Sequence, residues 1–227
     1  MPRNLSLKAV YLLMILTSSS LYFSCGKHQK GKGEIKSVLI LGNSIVEHGA
    51  APQIGWHGNW GMAATTRDSD FVHLLIKEIK AKDSNVTFAF ANIGGFEFMP
   101  DFDFHRLDSF SRPDMLILRF SENVNGTTLT NDELRKNYDK LIHYIDPEDK
   151  AVKVIVTGIW HKPETHAMQK KYAAEHGYIF VRNDDLLADS TNTAKGLFAN
   201  KDVAAHPSDK GMRNIKERIW EQIKEYF

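Results

Sequence analysis

The 227-residue chain has a single cysteine, Cys25, and no glycine-rich phosphate-binding loop. Together these absences argue against a redox or nucleotide-binding domain. An excess of one charge is also lacking, because the formal net charge is +1. Residues 1–36 hold six of the 29 Lys and Arg side chains but one of the 28 acidic ones, so the remainder is mildly acidic and no nucleic-acid partner is expected.

Metal-ligand spacing is missing as well. His161, Glu164 and His166 lie close together in the sequence, but their spacing matches no standard zinc pattern. The sequence therefore predicts neither a metal ion nor any other cofactor. No internal repeat is visible, and the composition, with 42% hydrophobic and 25% charged residues, is that of one globular domain of ordinary size.

The N-terminal residues have the pattern of a targeting segment. Arg3 and Lys8 precede an apolar run at 9–16, too short for a comfortable membrane span, and small polar residues follow it. Residues 21–26 resemble a bacterial lipobox that ends in Cys25-Gly26, although Tyr22 stands where Leu is usual. We expect a signal peptide over 1–24 and an exported protein at the bacterial cell envelope or surface, anchored to the membrane through lipidated Cys25. The alternative is an ordinary secretory signal with an incidental cysteine.

Apolar runs then alternate with helical patterns, after a polar tether at 25–36 that is rich in Gly and Lys. The domain is accordingly placed at 37–227. The runs predict five strands, at 38–41, 86–91, 115–120, 152–157 and 178–181. The periodic segments predict helices at 70–82, 130–145, 162–176 and 208–226. Strands rich in Val, Ile, Leu and Phe that alternate with helices indicate a parallel sheet covered on both faces.

A serine follows the first predicted strand directly, in Gly42-Asn43-Ser44-Ile45. In an open α/β sheet, ligands and chemistry collect at this carboxyl edge of the strands. His206, near the other end of the chain, is a candidate partner for that serine. A serine and a histidine that are close in space form an activated nucleophile, wherever they lie in the sequence.

Four landmarks in order resemble the sequence blocks of the GDSL/SGNH hydrolase family. They are Gly42-Asn43-Ser44-Ile45, Asn92-Ile93-Gly94-Gly95, Ser121-Glu122-Asn123-Val124, and Asp202 with His206-Pro207. The resemblance covers nearly all of residues 37–227. It implies a three-layer α/β/α sandwich with a flavodoxin-like parallel sheet, hydrolysis of esters or thioesters without a cofactor, and Ser44 as the nucleophile.

The resemblance also implies an oxyanion hole. Its donors would be the Ser44 N–H, the side-chain amide of Asn123 and a backbone N–H from the second block. In that block Gly95 is favoured, while Gly94 and Glu97 remain alternatives because the register is ambiguous. Without a catalytic role, Asn123 would be a turn residue at a strand end, and the glycines would serve a plain turn.

The fourth landmark departs most from the family pattern, in which Asp and His are three residues apart. Here Asp202 precedes His206 by four residues, and Val203 stands where Asp is expected. Asp202 is therefore a candidate third member of a triad. Alternatively, a backbone carbonyl or another carboxylate orients the imidazole of a Ser–His dyad.

Five further residues are candidates for substrate contact. His48, Trp56 and Trp60 belong to the irregular segment after Ser44, and long irregular segments in compact domains are usually functional. The two tryptophans would either stack on a substrate ring or cover the core. Trp160 and His161 follow the fourth strand and would line the same edge of the sheet.

The sequence favours a serine esterase that removes acetyl or other short acyl groups from glycans or small esters. A lysophospholipase or thioesterase remains an alternative. A third possibility is a glycan-binding module on the same fold that is catalytically weakened, since the third and fourth landmarks are altered. The sequence indicates no oligomeric state.

Overall fold

One parallel sheet organises the part of the chain that the computed structural model describes, which is residues 31, 33–110 and 112–227. Its strands lie in the order β2-β1-β3-β4-β5, and every neighbouring pair is parallel. The strands are β1 (Ser37–Gly42), β2 (Thr87–Asn92), β3 (Met115–Phe120), β4 (Val152–Thr157) and β5 (Ile179–Val181). This order is the flavodoxin-like one, which confirms the predicted fold class.

Three of the five α-helices in the described residues connect consecutive strands, and the last two follow β5. The five are α1 (Phe71–Lys82), α2 (Asn131–Ile145), α3 (Pro163–His176), the short α4 (Lys201–Ala204) and α5 (Asp209–Ile223). Local signals set their ends: Thr130 and Glu133 form a capping box at the start of α2, and Gly177 ends α3 in the left-handed conformation at φ 68°. None of the described helices combines the length and the apolar character needed to cross a membrane.

The core has one layer on each face of the sheet. Neighbouring residues of a strand point to opposite faces, so Ile117 packs with α1 and α5, while Leu118 packs with α2 and α3. Strands β3 and β4 are buried along their whole length, which explains why their sequences are apolar apart from Arg119, Lys153 and Thr157. The result is the three-layer sandwich that the sequence predicts.

The folded domain begins earlier than the sequence suggests. Gly33 donates its N–H to the carbonyl of Tyr226 at 2.9 Å, and Ile35 is buried in the same core layer as α5. Residues 33–36 therefore pack on the domain instead of belonging to a free tether, because Ile35 supplies an apolar side chain just before β1. The predicted signal peptide and Cys25 lie outside the described residues.

Candidate active site

Ser44 and His206 meet at the carboxyl edge of the sheet. The Oγ atom of Ser44 lies 2.8 Å from Nε2 of His206, although 162 residues separate them in the chain. Ser44 is half-buried and His206 is largely buried. This distance is that of a hydrogen bond, as a nucleophile and its general base require.

The turn after β1 presents Ser44 because its neighbours fit tightly. A Cβ atom on Gly42 would lie 2.5 Å from Cγ2 of Val46 and 2.7 Å from the carbonyl oxygen of Arg119, so only glycine allows this close approach. Beyond the turn, the N–H of Met62 donates to the Ser44 carbonyl at 2.9 Å. Ser44 is therefore held by its backbone, which leaves its hydroxyl directed at His206.

A backbone carbonyl orients His206. Its Nδ1 lies 2.7 Å from the carbonyl oxygen of Asp202, so Nδ1 carries the proton and donates it there. In this tautomer Nε2 has a lone pair that accepts the Ser44 hydroxyl. The Asp202 side chain is exposed and serves as no partner of the ring, so the prediction of Asp202 as the triad carboxylate is wrong. The physical reason is the short helix α4, whose turn directs the Asp202 carbonyl toward the residue four positions later.

The surroundings of His206 favour its neutral form. Burial lowers the pKa of His206 below its usual value, and the bond to the Asp202 carbonyl only partly offsets this effect. The Trp160 ring packs edge-on against the imidazole, with ring centres 5.6 Å apart, and its Nε1–H donates to the Ala205 carbonyl at 3.2 Å. The imidazole is thus fixed on two sides and is unprotonated at neutral pH, as a general base must be.

The predicted oxyanion donors lie on neighbouring segments. A Cβ atom on Gly94 would lie 3.4 Å from Nδ2 of Asn123, so the short 3₁₀ helix at Gly94–Glu97 starts beside that amide. The Gly94 N–H already donates to Oδ1 of Asn92 at 2.9 Å, whereas among the described residues the N–H groups of Gly95 and Ser44 have no acceptor. Gly95 therefore remains the predicted backbone donor of the second block.

A buried polar cluster beneath the site escaped the sequence analysis. The side-chain amide of Asn43 donates to Glu97 at 3.0 Å and to Glu122 at 2.8 Å, and Arg119 donates to Glu122 at 2.7 Å. All four side chains are at most 4% exposed. One signal was available, since Arg119 interrupts the apolar sequence of β3, and a buried arginine requires a charged partner.

Ser121 adjoins this cluster in a conformation that disfavours side chains, with φ at 141°. Its Oγ accepts the Gly158 N–H at 2.8 Å and lies 2.9 Å from Nε2 of His166. Ser121 and His166 repeat the serine–histidine contact of the active site. Ser121 is fully buried, however, so no substrate reaches it.

Of the other four predicted contact residues, one is buried and three are accessible. Trp56 is 2% exposed and packs in a small core cluster with its Nε1–H on the His48 carbonyl, so the prediction that it contacts substrate is wrong. Trp60 packs edge-on against it and donates to the Ala64 carbonyl, but it remains half-exposed. His48 is half-buried, and His161 is exposed.

His161 lines a depression of about 310 Å³ beside the end of β3. Its wall is about equally polar and apolar, and the polar side chains belong to Asn125, Asn131, Lys162, Glu164 and Thr165. The depression begins at Val124, the residue after Asn123, so it adjoins the predicted oxyanion hole. Within residues 31, 33–110 and 112–227, no group of three or more His, Cys, Asp or Glu side chains is arranged to hold a metal ion.

Comparison by sequence identifies no relative: no protein-family model and no curated protein matches the chain. Comparison by structure, in contrast, identifies several similar proteins. The esterase EstA from Pseudoalteromonas, in a structure inhibited by monoethylphosphonate, has a TM-score of 0.57 at 16% identity, over 84% of this chain and 98% of that one. A putative GDSL-like lipase from Bacteroides ovatus has a TM-score of 0.55 at 17% identity, with coverages of 84% and 98%.

A two-domain esterase (CEX) active on acetylated mannans is also similar. Its TM-score is 0.56 at 18% identity, and the match covers 84% of this chain but 48% of that chain. The present chain thus spans about half of that protein. These similarities show that the chain has the fold of GDSL-like esterases and lipases, which is the fold that the four sequence landmarks predict.

Proposed function

We propose that the protein is a serine hydrolase that cleaves carboxylic esters through an acyl-enzyme. The observation that carries this proposal is the 2.8 Å contact between Ser44 Oγ and His206 Nε2, with the opposite ring nitrogen bonded to the Asp202 carbonyl. This geometry provides a nucleophile, a base and a fixed tautomer. The shared fold supports the assignment but does not by itself define the chemistry.

In the proposed reaction, Ser44 Oγ attacks the ester carbonyl carbon while His206 Nε2 accepts the hydroxyl proton. The oxyanion receives hydrogen bonds from Asn123 Nδ2 and from the N–H groups of Gly95 and Ser44. His206 then donates its proton to the departing alcohol, and the acyl-enzyme forms. Water attacks this ester with His206 again as base, which releases the acid and restores Ser44.

A short acyl group on a glycan is the substrate that we propose. The depression that Val124 lines offers amide, ammonium and carboxylate groups, which are suited to sugar hydroxyls, beside apolar surface that suits the faces of sugar rings. The similarity to an esterase active on acetylated mannans points in the same direction. We propose substrate contact for His48, Trp60 and His161, and contact with the base for Trp160.

A longer acyl chain is the second candidate. Phe98 and Met99 are 41% and 43% exposed, and they follow directly the 3₁₀ helix that carries Gly95. Met99 also covers Gly95, since a Cβ atom there would lie 2.9 Å from its sulfur. Such an apolar surface beside the site favours a lysophospholipase or thioesterase. Export and lipid anchoring at Cys25 stay predictions.

Labelling of the purified protein with a fluorophosphonate tests the nucleophile. We expect labelling and p-nitrophenyl acetate turnover in the wild type, and neither in Ser44→Ala or His206→Ala. Ser121→Ala is the matched control, because Ser121 also contacts a histidine but is buried; this variant should still be labelled. A folded wild type that is not labelled would contradict the proposal and favour the glycan-binding module.

The same purified protein is used to measure the acyl-chain specificity. We expect kcat/KM to be highest for p-nitrophenyl acetate and to fall as the acyl chain lengthens to octanoate and decanoate. A maximum at decanoate would instead support the second candidate and the Phe98–Met99 surface.

A further inference from the structure

Glu97 is fully buried, yet its carboxylate is surrounded by donors. Oε1 accepts the N–H of Ser121 at 2.6 Å and the N–H of Asn123 at 3.2 Å. Oε2 accepts Nδ2 of Asn123 at 2.7 Å and Nδ2 of Asn43 at 3.0 Å. Four donors match the capacity of one ionised carboxylate, and without it two backbone N–H groups and one hydrogen of each amide would lose their acceptor.

These four bonds join the segments that build the proposed site. Asn43 is the residue before Ser44, Asn123 is the proposed oxyanion donor, and Glu97 itself ends the 3₁₀ helix that contains Gly95. The amide of Asn123 has two hydrogens, of which Glu97 binds one. The other is left for the oxyanion, and the bond to Glu97 fixes the plane of the amide and thereby the direction of that second hydrogen.

We propose that Glu97 is the positioning residue of the oxyanion hole, and that it acts on the reaction through the side-chain amide of Asn123. The inference rests on the proposed ester hydrolysis, because only a reaction that develops an oxyanion requires this amide to be fixed. Glu97 has no contact with the reacting atoms, so its effect should appear in kcat and should depend on the presence of Asn123.

An amide cannot replace this carboxylate. If Glu97 were glutamine, its Nε2 would face either the two backbone N–H groups or the amides of Asn43 and Asn123. Two donors would then oppose each other in the interior, and Asn123 would rotate or shift to relieve the conflict. A carboxylate has no such donor, so Glu97→Gln is a nearly isosteric variant that tests the charge and the acceptors without changing the volume.

The titration of Glu97 gives the proposal a pH dependence. Burial and the nearby Glu122 raise the pKa of Glu97 to about 7. The other groups that face this cluster are Arg119, which pairs with Glu122; Tyr138 of α2; and His166 of α3, which contacts Ser121. Protonation would place an O–H among four donors and break at least one bond, so the oxyanion hole should loosen as the pH falls through 7.

A double-mutant cycle tests the inference. Turnover of p-nitrophenyl acetate is measured for wild type, Glu97→Gln, Asn123→Ala and the double variant. We expect each single variant to lower kcat about 10²- to 10³-fold with little change in KM, the loss typical of one oxyanion donor. The double variant should be within about threefold of Asn123→Ala, because Glu97 acts through that residue. Effects of the two substitutions that multiply would overturn the proposal.

Two further measurements complete the test. The wild-type pH profile of kcat/KM should contain an ionisation near 7 from Glu97 besides that of His206 at lower pH, and Asn123→Ala should lose the upper one. This comparison decides the matter even if Glu97→Gln fails to fold; an upper ionisation retained in Asn123→Ala would sink the proposal. Glu78→Gln, which alters a carboxylate of α1 that is paired with Lys216 of α5 and belongs to no part of the proposed site, should leave both profile and rate unchanged.

The proposed function and the inference fail in different ways. Wild-type turnover that persists in Ser44→Ala contradicts the ester hydrolase and the inference together. Turnover that requires Ser44 but shows multiplying effects of Glu97→Gln and Asn123→Ala contradicts only the role of Glu97.

Discussion

The group that orients His206 is a peptide carbonyl, which carries a partial charge instead of a full one. It fixes the tautomer, as a carboxylate would, but it stabilises the imidazolium of the transition state less. The buried carboxylate of Glu122 acts in the direction of the missing charge, because it raises the pKa of His206, while His48 and Arg119 lower it. In a triad one carboxylate orients the histidine and supplies the negative charge. Here the Asp202 carbonyl orients His206, and the negative charge belongs to Glu122.

Substitution of Asp202 distinguishes this arrangement from a triad. Asp202→Ala keeps the backbone carbonyl and removes only an exposed carboxylate, so we expect kcat/KM for p-nitrophenyl acetate to stay within about twofold of the wild type. Loss of a true triad carboxylate costs about 10⁴-fold in kcat. A decrease of that size, in a protein with unchanged thermal stability, would show that the carboxylate itself takes part.

At the scale of elements, the single turn of α4 decides where that carbonyl lies. A helix of four residues has little stability of its own. Its N-terminal cap supports it: Oδ1 of Asn200 accepts the N–H groups of Asp202 at 2.9 Å and Val203 at 3.1 Å. The geometry of His206 therefore depends on a side chain that makes no contact with it.

Removal of this cap should affect activity more than stability. We expect Asn200→Ala to lower the free energy of unfolding by about 1 kcal/mol, as is usual for N-caps, and to lower kcat several-fold because the Asp202 carbonyl loosens. Thr130→Ala, which removes the cap of α2, a helix that does not carry the orienting carbonyl, should cost similar stability at unchanged kcat. Urea unfolding and steady-state kinetics measure both, and equal kinetic effects of the two variants would refute the link.

At the scale of the whole molecule, the free energy of unfolding should depend on the ionisation of Glu97. Its pKa is raised from 4.5 to about 7 in the folded protein, so between these values the folded state binds a proton that the unfolded state has released. The contribution of Glu97 to stability is thus complete below about pH 4.5 and declines as the pH rises through 7.

Urea unfolding at several pH values between 5 and 8 checks this dependence. The wild type should lose stability relative to Glu97→Gln as the pH rises, because glutamine does not titrate. A difference between the two proteins that stays constant over this range would mean that Glu97 does not titrate there.

Most of the molecule's architecture follows from local patterns, and most of its site does not. The predicted strand at 38–41 is observed at Ser37–Gly42, and the capping box of α2 forms as its sequence indicates. The contact between Ser44 and His206 was inferred from the order of the landmarks. The cluster around Glu97 was not, because buried hydrogen bonds depend on how loops from separate strands meet, and no periodic pattern encodes that meeting.

The separation of 162 positions between Ser44 and His206 in the sequence has a kinetic consequence. Contacts between distant parts of a chain form late, since the entropy of closing the loop must be overcome first, and parallel sheets are slow to fold for this reason. During synthesis Ser44 emerges long before His206, so it has no base until strands β2 to β5 have followed. Ser44 would therefore become reactive only in completely folded chains, and in partly folded chains it would be inert.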